Sequence, residues 1–552
     1  MQGRLPVHKH LLSGCRSAPL AGYLKSIGVL RILAEQKDPR ARAHWVGGTF
    51  CISTTLSENE ILSFFCEEYS PTPVVAPWNG GSGFYPGHNE YAISVLVSSA
   101  KPQFQRYRET IEQLLAWFKI VRLESVGDIY GALDSLVRTS EQKARREVAS
   151  GLLRQLNERA PHIEPGQKPH PQMLLKEAEA FSKDDRPDRD VWKLWVVTLK
   201  KARTVCNEAD RAGGKERLLT GCRATLPDFV LPWLDAVYSL QFNGEPGYNP
   251  VFGTGGNDGN FDLSNNFAQR VVELFIANRP ERTGELLASS LYDSTTSNLT
   301  VAKIGHFDPG RSGGFNQGAE VETKDFKINP WDFVLAIEGA LMLAGASVRR
   351  NAADERSQFA TPFTVRFSPV GFSSTALDSG GRYETWLPLW ENPTSLSEVR
   401  YLFGEGRATI GRRVARDGIE FSRAAHTLGI DRGISSFERY AFLKRRGKSY
   451  VAVPVGRQQV IYKPQLELFT ELDRVTGQLD TILRGDKNLP ATLSTARHLI
   501  DEHIFRTCER ADPDSFSTLI RAVGSMGHLL SLTAKTKETS RNTASLACLL
   551  VG

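Results

Sequence analysis

The sequence predicts a helix-rich α+β fold of several domains, with a mainly helical C-terminal part. Segment 19–36 repeats its apolar residues at helical spacing, whereas the runs FTVRF and YETWLPLW within 360–390 have the composition of strands. Segment 44–55 predicts one strand, and segment 331–348 predicts an apolar helix whose Gly339 and Gly345 indicate close helix contacts. Segment 437–455 predicts a hairpin that turns near Arg446-Gly447, and from residue 465 onward the pattern is almost wholly helical.

A chain of 552 residues is long enough for several domains. Helical patterns from about 102 to 225 lie between two glycine-rich stretches and indicate an insertion. We therefore predict four parts: an N-terminal α+β part (1–101), a helical insertion (102–230), an α+β part with glycine- and asparagine-rich loops and basic residues (231–464), and a helical C-terminal part (465–552).

The composition is that of a soluble globular protein, with 41% hydrophobic and 24% charged residues. The sequence contains no run of eighteen consecutive apolar residues, so it predicts no membrane span. Its N-terminus lacks the pattern of a signal peptide. Seven scattered cysteines without a C-x-x-C pair are typical of reduced thiols rather than disulfides or a zinc site. These features predict a cytoplasmic protein.

The segment 238–267 is the most informative part of the chain. It contains six glycines and six asparagines but no lysine, arginine, cysteine or histidine. Glycines let the backbone approach a ligand closely, and asparagine amides both donate and accept hydrogen bonds. Such a loop can grip phosphates, sugars or base edges, or it can be an ordered turn region with no ligand.

A second loop of similar composition, APWNGGSGF, covers residues 76–84. Its aromatic residues could stack on a base or anchor the loop in the core, and core anchoring is the favoured interpretation for Trp78. Asn79 and Ser82 are then the better candidates for contacts with nucleic acid.

A basic stripe, which we define as residues 400–448, carries twelve Lys or Arg against five acids. Its excess of seven positive charges is larger than the +6 of the whole chain. A local excess of this kind predicts a polyanionic partner, although a solvated helical face would have the same composition.

The motifs of common enzyme classes are missing. Gly213-Gly214-Lys215 is followed by Glu216 instead of the Ser or Thr of a P-loop, and Asp258 stands where a dinucleotide-binding loop needs glycine. The histidine pairs His8/His10 and His498/His503 are weak candidates for a metal site. We therefore predict a non-enzymatic protein with no cofactor and no metal.

Five long segments resemble, in order, the large subunit of the type I-G (formerly I-U) CRISPR Cascade effector. They are LSGCRSAPLAGYLKSIGVLRILAEQKDPRA, PTPVVAPWNGGSGF, FNGEPGYNPVFGTGGNDGNFDLSNNF, WDFVLAIEGALMLAG and SSFERYAFLKRRGKSYVAVPVGR. The resemblance implies a complex with CRISPR RNA and the other Cascade subunits, namely the backbone and handle-binding subunits and a small subunit where one is present. It also implies recognition of the protospacer-adjacent motif in double-stranded target DNA, strand separation, R-loop formation and recruitment of the helicase–nuclease.

In that role base pairing reads the target sequence, and the protein needs only a short duplex reader and a basic track. The residues expected to read the motif or to bind the guide handle are Asn79, Gly80, Gly81, Ser82, Asn257, Asp258, Gly259 and Asn260. The residues expected to contact the phosphate backbone are Arg412, Arg413, Lys444, Arg445, Arg446 and Lys448.

The chain departs from the family at its C-terminus, because members of the family tend to run longer and this sequence stops within the apolar run LACLLVG. Either the sequence is truncated or a separate small subunit supplies the rest. Two rival functions also stay open. One is a nuclease or phosphotransferase that uses Asp258, Asp262 and His306, and the other is a scaffold that binds only proteins.

Overall fold

The structure is a computed structural model that describes most of the chain outside the predicted helical insertion. The described residues are 6–84, 89, 91–117, 183, 215–241, 245–258, 261–297, 299–302, 305–311, 326–348, 358–371, 381, 383–410, 413–427, 433–444, 450–485 and 489–536.

Helices account for much of the described chain. They are α1 (Leu20–Gln36), α2 (Glu58–Ser63), α3 (Tyr91–Ser98), α4 (105–117), α5 (Lys215–Thr225), α6 (Leu231–Val237), α7 (Leu263–Val272), α8 (Pro280–Tyr292), α9 (Pro330–Ala340), α10 (Leu396–Glu405), α11 (Gly418–His426), α12 (Phe469–Gly485), α13 (Ala491–Arg510) and α14 (Pro513–Thr536). Single π-helical turns, Phe64–Glu68 and Glu273–Ala277, extend α2 and α7.

The strands are mostly short. They are β1 (His8–Arg16), β2 (Arg42–Val46), β3 (Thr49–Thr54), β4 (Tyr238–Leu240), β5 (Pro246–Tyr248), β6 (Asn257–Asp258), β7 (Phe261–Asp262), β8 (Thr300–Ala302), β9 (Phe326–Ile328), β10 (Ala346–Val348), β11 (Gln358–Ala360), β12 (Thr364–Arg366), β13 (Tyr383–Trp390), β14 (Thr394–Ser395), β15 (Thr409–Ile410), β16 (Arg413–Val414), β17 (Ile434–Lys444) and β18 (Tyr450–Gln459).

Two four-stranded antiparallel sheets organise the main body. Their strand orders are β1-β3-β2-β14 and β12-β13-β17-β18, and the remaining strands form two-stranded ribbons. In the second sheet β13 pairs with β17 from Tyr383 opposite Phe442 to Trp390 opposite Ile434. The β17–β18 pair is the hairpin that the sequence predicts, and its turn, 445–449, lies outside the described residues.

Helices α1 and α9 cross at the centre of the main core. A side chain at Gly28 would collide with the carbonyl of Leu335, and one at Gly339 would collide with the carbonyl of Leu24. Both positions therefore need glycine, because only its missing Cβ lets the two backbones come this close. The helix contact predicted from Gly339 is confirmed.

Four polar groups are buried where α1 and α9 meet at one end of the crossing. Glu338 is fully buried, and its carboxylate accepts hydrogen bonds from Arg31, from the Tyr69 hydroxyl at 2.6 Å and from the Thr72 backbone N–H at 2.8 Å. Because every polar atom of the acid has a donor, its burial carries no large penalty.

The C-terminal helices have a hydrophobic core of their own. Leu466, Leu493, Ile504, Met526 and Leu530 are among its buried members. The main core, by contrast, combines residues from the first three predicted parts of the chain, such as Leu24, Leu219 and Phe437. The predicted helix-rich α+β class and the helical C-terminal part are confirmed.

Two local predictions need correction, and one strand was not predicted. His8–Arg16, which carried no strand prediction, is the edge strand β1. Segment 44–55, predicted as one strand, contains most of the hairpin β2–β3, because Gly47 and Gly48 have positive φ and reverse the chain. The helix predicted over 331–348 ends at Ala340 and is followed by a 3₁₀ turn and by β10.

Candidate nucleic-acid interface

The two loops rich in glycine and asparagine pack against each other, although about 175 residues separate them. We call residues 76–84 and 249–262 together the loop junction. The indole nitrogen of Trp78 donates to the carbonyl oxygen of Gly255 at 2.7 Å, and the amide nitrogen of Asn79 donates to the same oxygen at 2.9 Å. The sequence predicted a similar role for both loops but not that they form one surface.

Glycine is required on the second loop by its backbone. Gly253, Gly255 and Gly256 have φ values of +65°, +81° and +82°. A Cβ on Gly255 would also lie 2.9 Å from the ring of Tyr248. These glycines therefore serve the turn and the close packing of the two loops, which is one of the two interpretations that the sequence left open.

Buried aromatic rings anchor the loop junction in the main core. The indole nitrogen of Trp233 donates to the carbonyl of Val75 at 2.6 Å, and the rings of Trp78 and Tyr238 meet edge to face at 5.3 Å. Trp78 is only 5% exposed, so the prediction that it anchors the loop is confirmed.

The side chains predicted to contact nucleic acid from the first loop point into the protein. Asn79 is 5% exposed and Ser82 is 1% exposed, and the Ser82 hydroxyl donates to the Asn79 carbonyl at 2.6 Å. Gly80 is exposed and Gly81 is partly exposed. In this conformation the loop thus offers backbone groups of Gly80 and Gly81 to a ligand, and not the side chains of Asn79 and Ser82.

On the second loop, Asn257 is half-buried and Asp258 forms strand β6 with it. Nothing further is described of the Asp258 side chain, and Gly259 and Asn260 lie outside the described residues.

The other described asparagines of segment 238–267 stabilise the backbone. Asn249 is fully buried and donates to the carbonyls of Ala236 and Leu343 at 2.7 and 3.0 Å. Asn265 donates to the carbonyl of Asn89, and Asn266 donates to the carbonyl of Asp262. Composition alone could not separate these internal partners from ligand contacts, since both uses need the same amide group.

Lys215 is a candidate contact that sequence reasoning missed. Its ammonium group donates to the carbonyl of Thr254 at 3.0 Å and lies 4.5 Å from the centroid of the Tyr248 ring. Thr254 is exposed, so this cation sits at the accessible edge of the loop junction. The signal was the sequence Gly213-Gly214-Lys215, which fails as a P-loop but does supply a cation at a glycine-rich loop.

Part of the basic stripe is buried and neutralised inside the protein. Arg439 is 2% exposed and donates to Glu384 at 2.7 Å, while Arg423 is paired with Asp473 across to helix α12. Arg439 also donates to the carbonyls of Ser368 and Val370. These two cations are therefore unavailable to a polyanion.

Other cations of the stripe are nearer the surface. Arg400 is paired with Glu35, Arg416 is paired with Glu420 at 2.7 Å, and Arg407 is exposed. The predicted phosphate contacts fall largely outside the described residues: only the backbone of Arg413 and Lys444 is described, whereas Arg412, Arg445, Arg446 and Lys448 are not. The charge excess of +7 therefore overstates the available surface charge, because a count along the sequence includes buried ion pairs.

A cleft of about 360 Å³ opens beside the first turns of α1 and α9. Lys25 and Asp332 form a 2.7 Å ion pair in its wall, the Ser290 hydroxyl donates to the same carboxylate, and Arg311 joins Asp332 to Asp308. Burial alone would lower the pKa of Lys25, but the negative charge of Asp332 outweighs burial, so the pKa of Lys25 is raised. Burial alone would raise the pKa of Asp332, but Lys25 and Arg311 hold it below its usual range. Both groups are thus charged and committed to each other, which makes neither a free base.

The residues of the rival enzymatic interpretation have internal roles. One oxygen of Asp262 accepts from the backbone N–H of Asn265 at 2.8 Å and so caps helix α7. His306 is 3% exposed, and its ring lies 2.7 Å from the carbonyl of Val251. Neither arrangement resembles an acid and base converging on one solvent-accessible point.

Within the described ranges, His, Cys, Asp and Glu form no group of three or more that could hold a metal ion. His8 and His10 stack with their ring centroids 6.1 Å apart, and His10 bonds to the carbonyl of Leu56. All the described cysteines, at positions 15, 51, 66, 222 and 508, are free thiols.

No protein-family model matches the chain, and no curated protein matches it. None of the helices in the part of the chain that the structure describes has both the length and the apolar character needed to cross a membrane.

Proposed function

We propose that this protein is the non-catalytic large subunit of a cytoplasmic type I CRISPR RNA-guided complex, of the kind that its sequence resembles. It recognises a short adjacent motif in duplex DNA, aids strand separation and R-loop formation, and recruits the helicase–nuclease. The order of five long segments along the chain carries this proposal, since it is far more specific than any short motif.

The contact between the two loops supports the proposal. Two segments that the sequence predicts to read the motif or to bind the guide handle are joined by hydrogen bonds to a single carbonyl, that of Gly255. Gly80 presents its backbone at the surface, and a Cβ placed there would meet no atom within 4 Å. Such a surface can approach the edge of a groove closely, and a backbone N–H group can donate to a base edge or a phosphate.

The charge distribution supports a division of labour between two regions. The loop junction is suited to reading a short motif, with Lys215 at its edge as a phosphate contact. Lys444 is the last residue of β17, and Arg445, Arg446 and Lys448 follow it in the sequence before β18 begins. These four cations are proposed to follow the DNA backbone.

Motif reading is tested with a library of DNA duplexes that share one target sequence and carry random bases beside it. Duplexes that bind the complex are selected from this library. The full chain is assembled with guide RNA and its partner subunits, and bound duplexes are sequenced. The parent complex enriches a short flanking motif, whereas Gly80→Glu, which places a negative charge in open space, loses most of that enrichment.

Gly524→Glu is the matched control, because Gly524 is exposed on helix α14 and likewise has no atom within 4 Å of an added Cβ. Enrichment should be unchanged in this variant. A parent complex that enriches no motif, or a Gly80→Glu complex that enriches it as strongly as the parent, contradicts motif reading by the loop junction.

A further inference from the structure

Two oxygen atoms at the loop junction are closed off from solvent and accept no hydrogen bond from any residue that the structure describes. They are Oδ1 of Asn257 and Oδ2 of Asp262. The other oxygen of Asp262 is satisfied, since it accepts from the Ser264 hydroxyl at 2.6 Å and from the Asn265 N–H at 2.8 Å. A buried acceptor without a donor is costly, so a pair of them needs an explanation.

The two residues lie directly opposite each other. Strand β6 pairs with β7 in the register Asn257 to Asp262. Residues opposite each other in an antiparallel ladder have side chains on the same face, with Cβ atoms about 4.5–5.5 Å apart. The two unsatisfied oxygens therefore belong to one small polar site.

The charge of Asp262 is also uncompensated. The residue is 5% exposed, and no charged side chain in the described part of the chain acts on its carboxyl group. The amide of Asn79 also acts on this carboxyl group, but an amide is a dipole and supplies no full positive charge. A buried carboxylate is stabilised most directly by a cation beside it.

We propose that Asn257 Oδ1 and Asp262 Oδ2 are ligands of a hard divalent cation of the Ca²⁺ or Mg²⁺ class. Carboxylate and amide oxygens are ligands that Ca²⁺ accepts, and Mg²⁺ is commonly bound through one carboxylate with water completing its shell. The cation joins β6 to β7 within the second loop. This site goes beyond the proposed function and does not depend on it.

The test uses the isolated full-length chain after treatment with a chelator. Thermal unfolding is followed with added Ca²⁺, with Mg²⁺ and with K⁺ at matched ionic strength, and Tb³⁺ luminescence reports direct binding. The indole of Trp78, hydrogen-bonded to Gly255, lies at the loop junction and serves as the sensitiser. We expect a divalent cation, but not K⁺, to raise the midpoint by a few degrees and Tb³⁺ to luminesce.

Two variants remove one ligand each while leaving the helix cap in place. Asp262→Asn keeps an oxygen that can cap α7 but removes the charge, and Asn257→Ala removes the amide. Both should bind Tb³⁺ about tenfold or more weakly than the parent and lose the cation-dependent rise in the unfolding midpoint. Asp228→Asn, a change at an exposed acid of a 3₁₀ turn, should behave like the parent.

The inference is overturned if divalent cations neither stabilise the parent nor produce luminescence, in which case a proton or a water satisfies the two oxygens. It is also overturned if Asp262→Asn and Asn257→Ala respond to cations as the parent does. Because no DNA is present, failure here is distinct from failure of motif reading.

Discussion

The loop junction and the basic stripe differ in how their polar groups are used within the protein. At the loop junction the side chains of Asn79 and Ser82 are turned inward, whereas the backbone of Gly80 faces solvent. In the stripe Arg423 and Arg439 are buried in ion pairs, while Arg407 of the same segment is exposed. Sequence composition therefore locates both regions but does not reveal which of their groups remain available.

The largest difference in stability is expected between two variants within the basic stripe. Arg439→Ala leaves Glu384 buried without its partner, and breaking such a pair costs about 3–5 kcal/mol of unfolding free energy. Arg407→Ala, at an exposed position, should change stability by less than about 0.5 kcal/mol. Urea denaturation of the two variants checks this. Equal stabilities would show that Arg439 is not the structural cation that the second sheet requires.

The free energy of unfolding should depend on pH through His426, the last residue of helix α11 in the basic stripe. Burial lowers the pKa of this imidazole to about 4, and its ring bonds to Gln458 and to the carbonyl of Ile461. The folded protein holds the ring neutral, whereas the unfolded chain takes up a proton near pH 6.5. The contribution of His426 to the free energy of unfolding is therefore fully present above pH 6.5 and is lost as the pH falls toward 4. At about 1.4 kcal/mol per pKa unit, the loss reaches about 3 kcal/mol.

His426→Asn, which keeps a donor for Ile461, should remove most of that loss. The measurement is unfolding free energy at several pH values between 7.5 and 4.5 for both proteins. If the difference between parent and variant does not change with pH, the histidine does not titrate as its burial requires.

At the loop junction, Gly255→Ala should cost about 1–3 kcal/mol, because alanine is strained at positive φ and its Cβ meets the Tyr248 ring. Gly80→Ala, with open space around the added methyl group, should be nearly neutral in stability. Chemical denaturation separates the two. If Gly255→Ala is as stable as the parent, the two loops do not pack together as described.

Lys215 provides the smallest expected effect and the sharpest local probe. Lys215→Ala should lower the free energy of unfolding by no more than about 1 kcal/mol, the size of one hydrogen bond or cation–π contact. It should also lower the slope of log K against log salt for duplex binding by about 0.9, the value for one phosphate contact. Exposed Lys327→Ala is the control and should leave the slope unchanged. An unchanged slope for Lys215→Ala removes this residue from the interface.

The sequence predicted the helices and strands of this fold better than the contacts between them. The helical repeat of α1, the hairpin β17–β18 and the helical C-terminal part follow from local periodicity. The contact between Asn79 and Gly255 could not be predicted, because it joins distant segments through one carbonyl. Nor could the burial of Arg439, since only the fold brings Glu384 opposite it.

The central proposal is that the loop junction and the basic stripe bind nucleic acid. The salt dependence of duplex binding tests this proposal most directly. In the assembled complex, the triple variant Lys444→Ala/Arg445→Ala/Arg446→Ala should lower the slope of log K against log salt by about 2.7, which corresponds to three phosphate contacts. A control triple, Arg40→Ala/Arg279→Ala/Lys327→Ala, changes exposed cations outside the stripe and should keep the parent slope. A stripe variant that binds target duplex with the parent's affinity and slope would contradict the account.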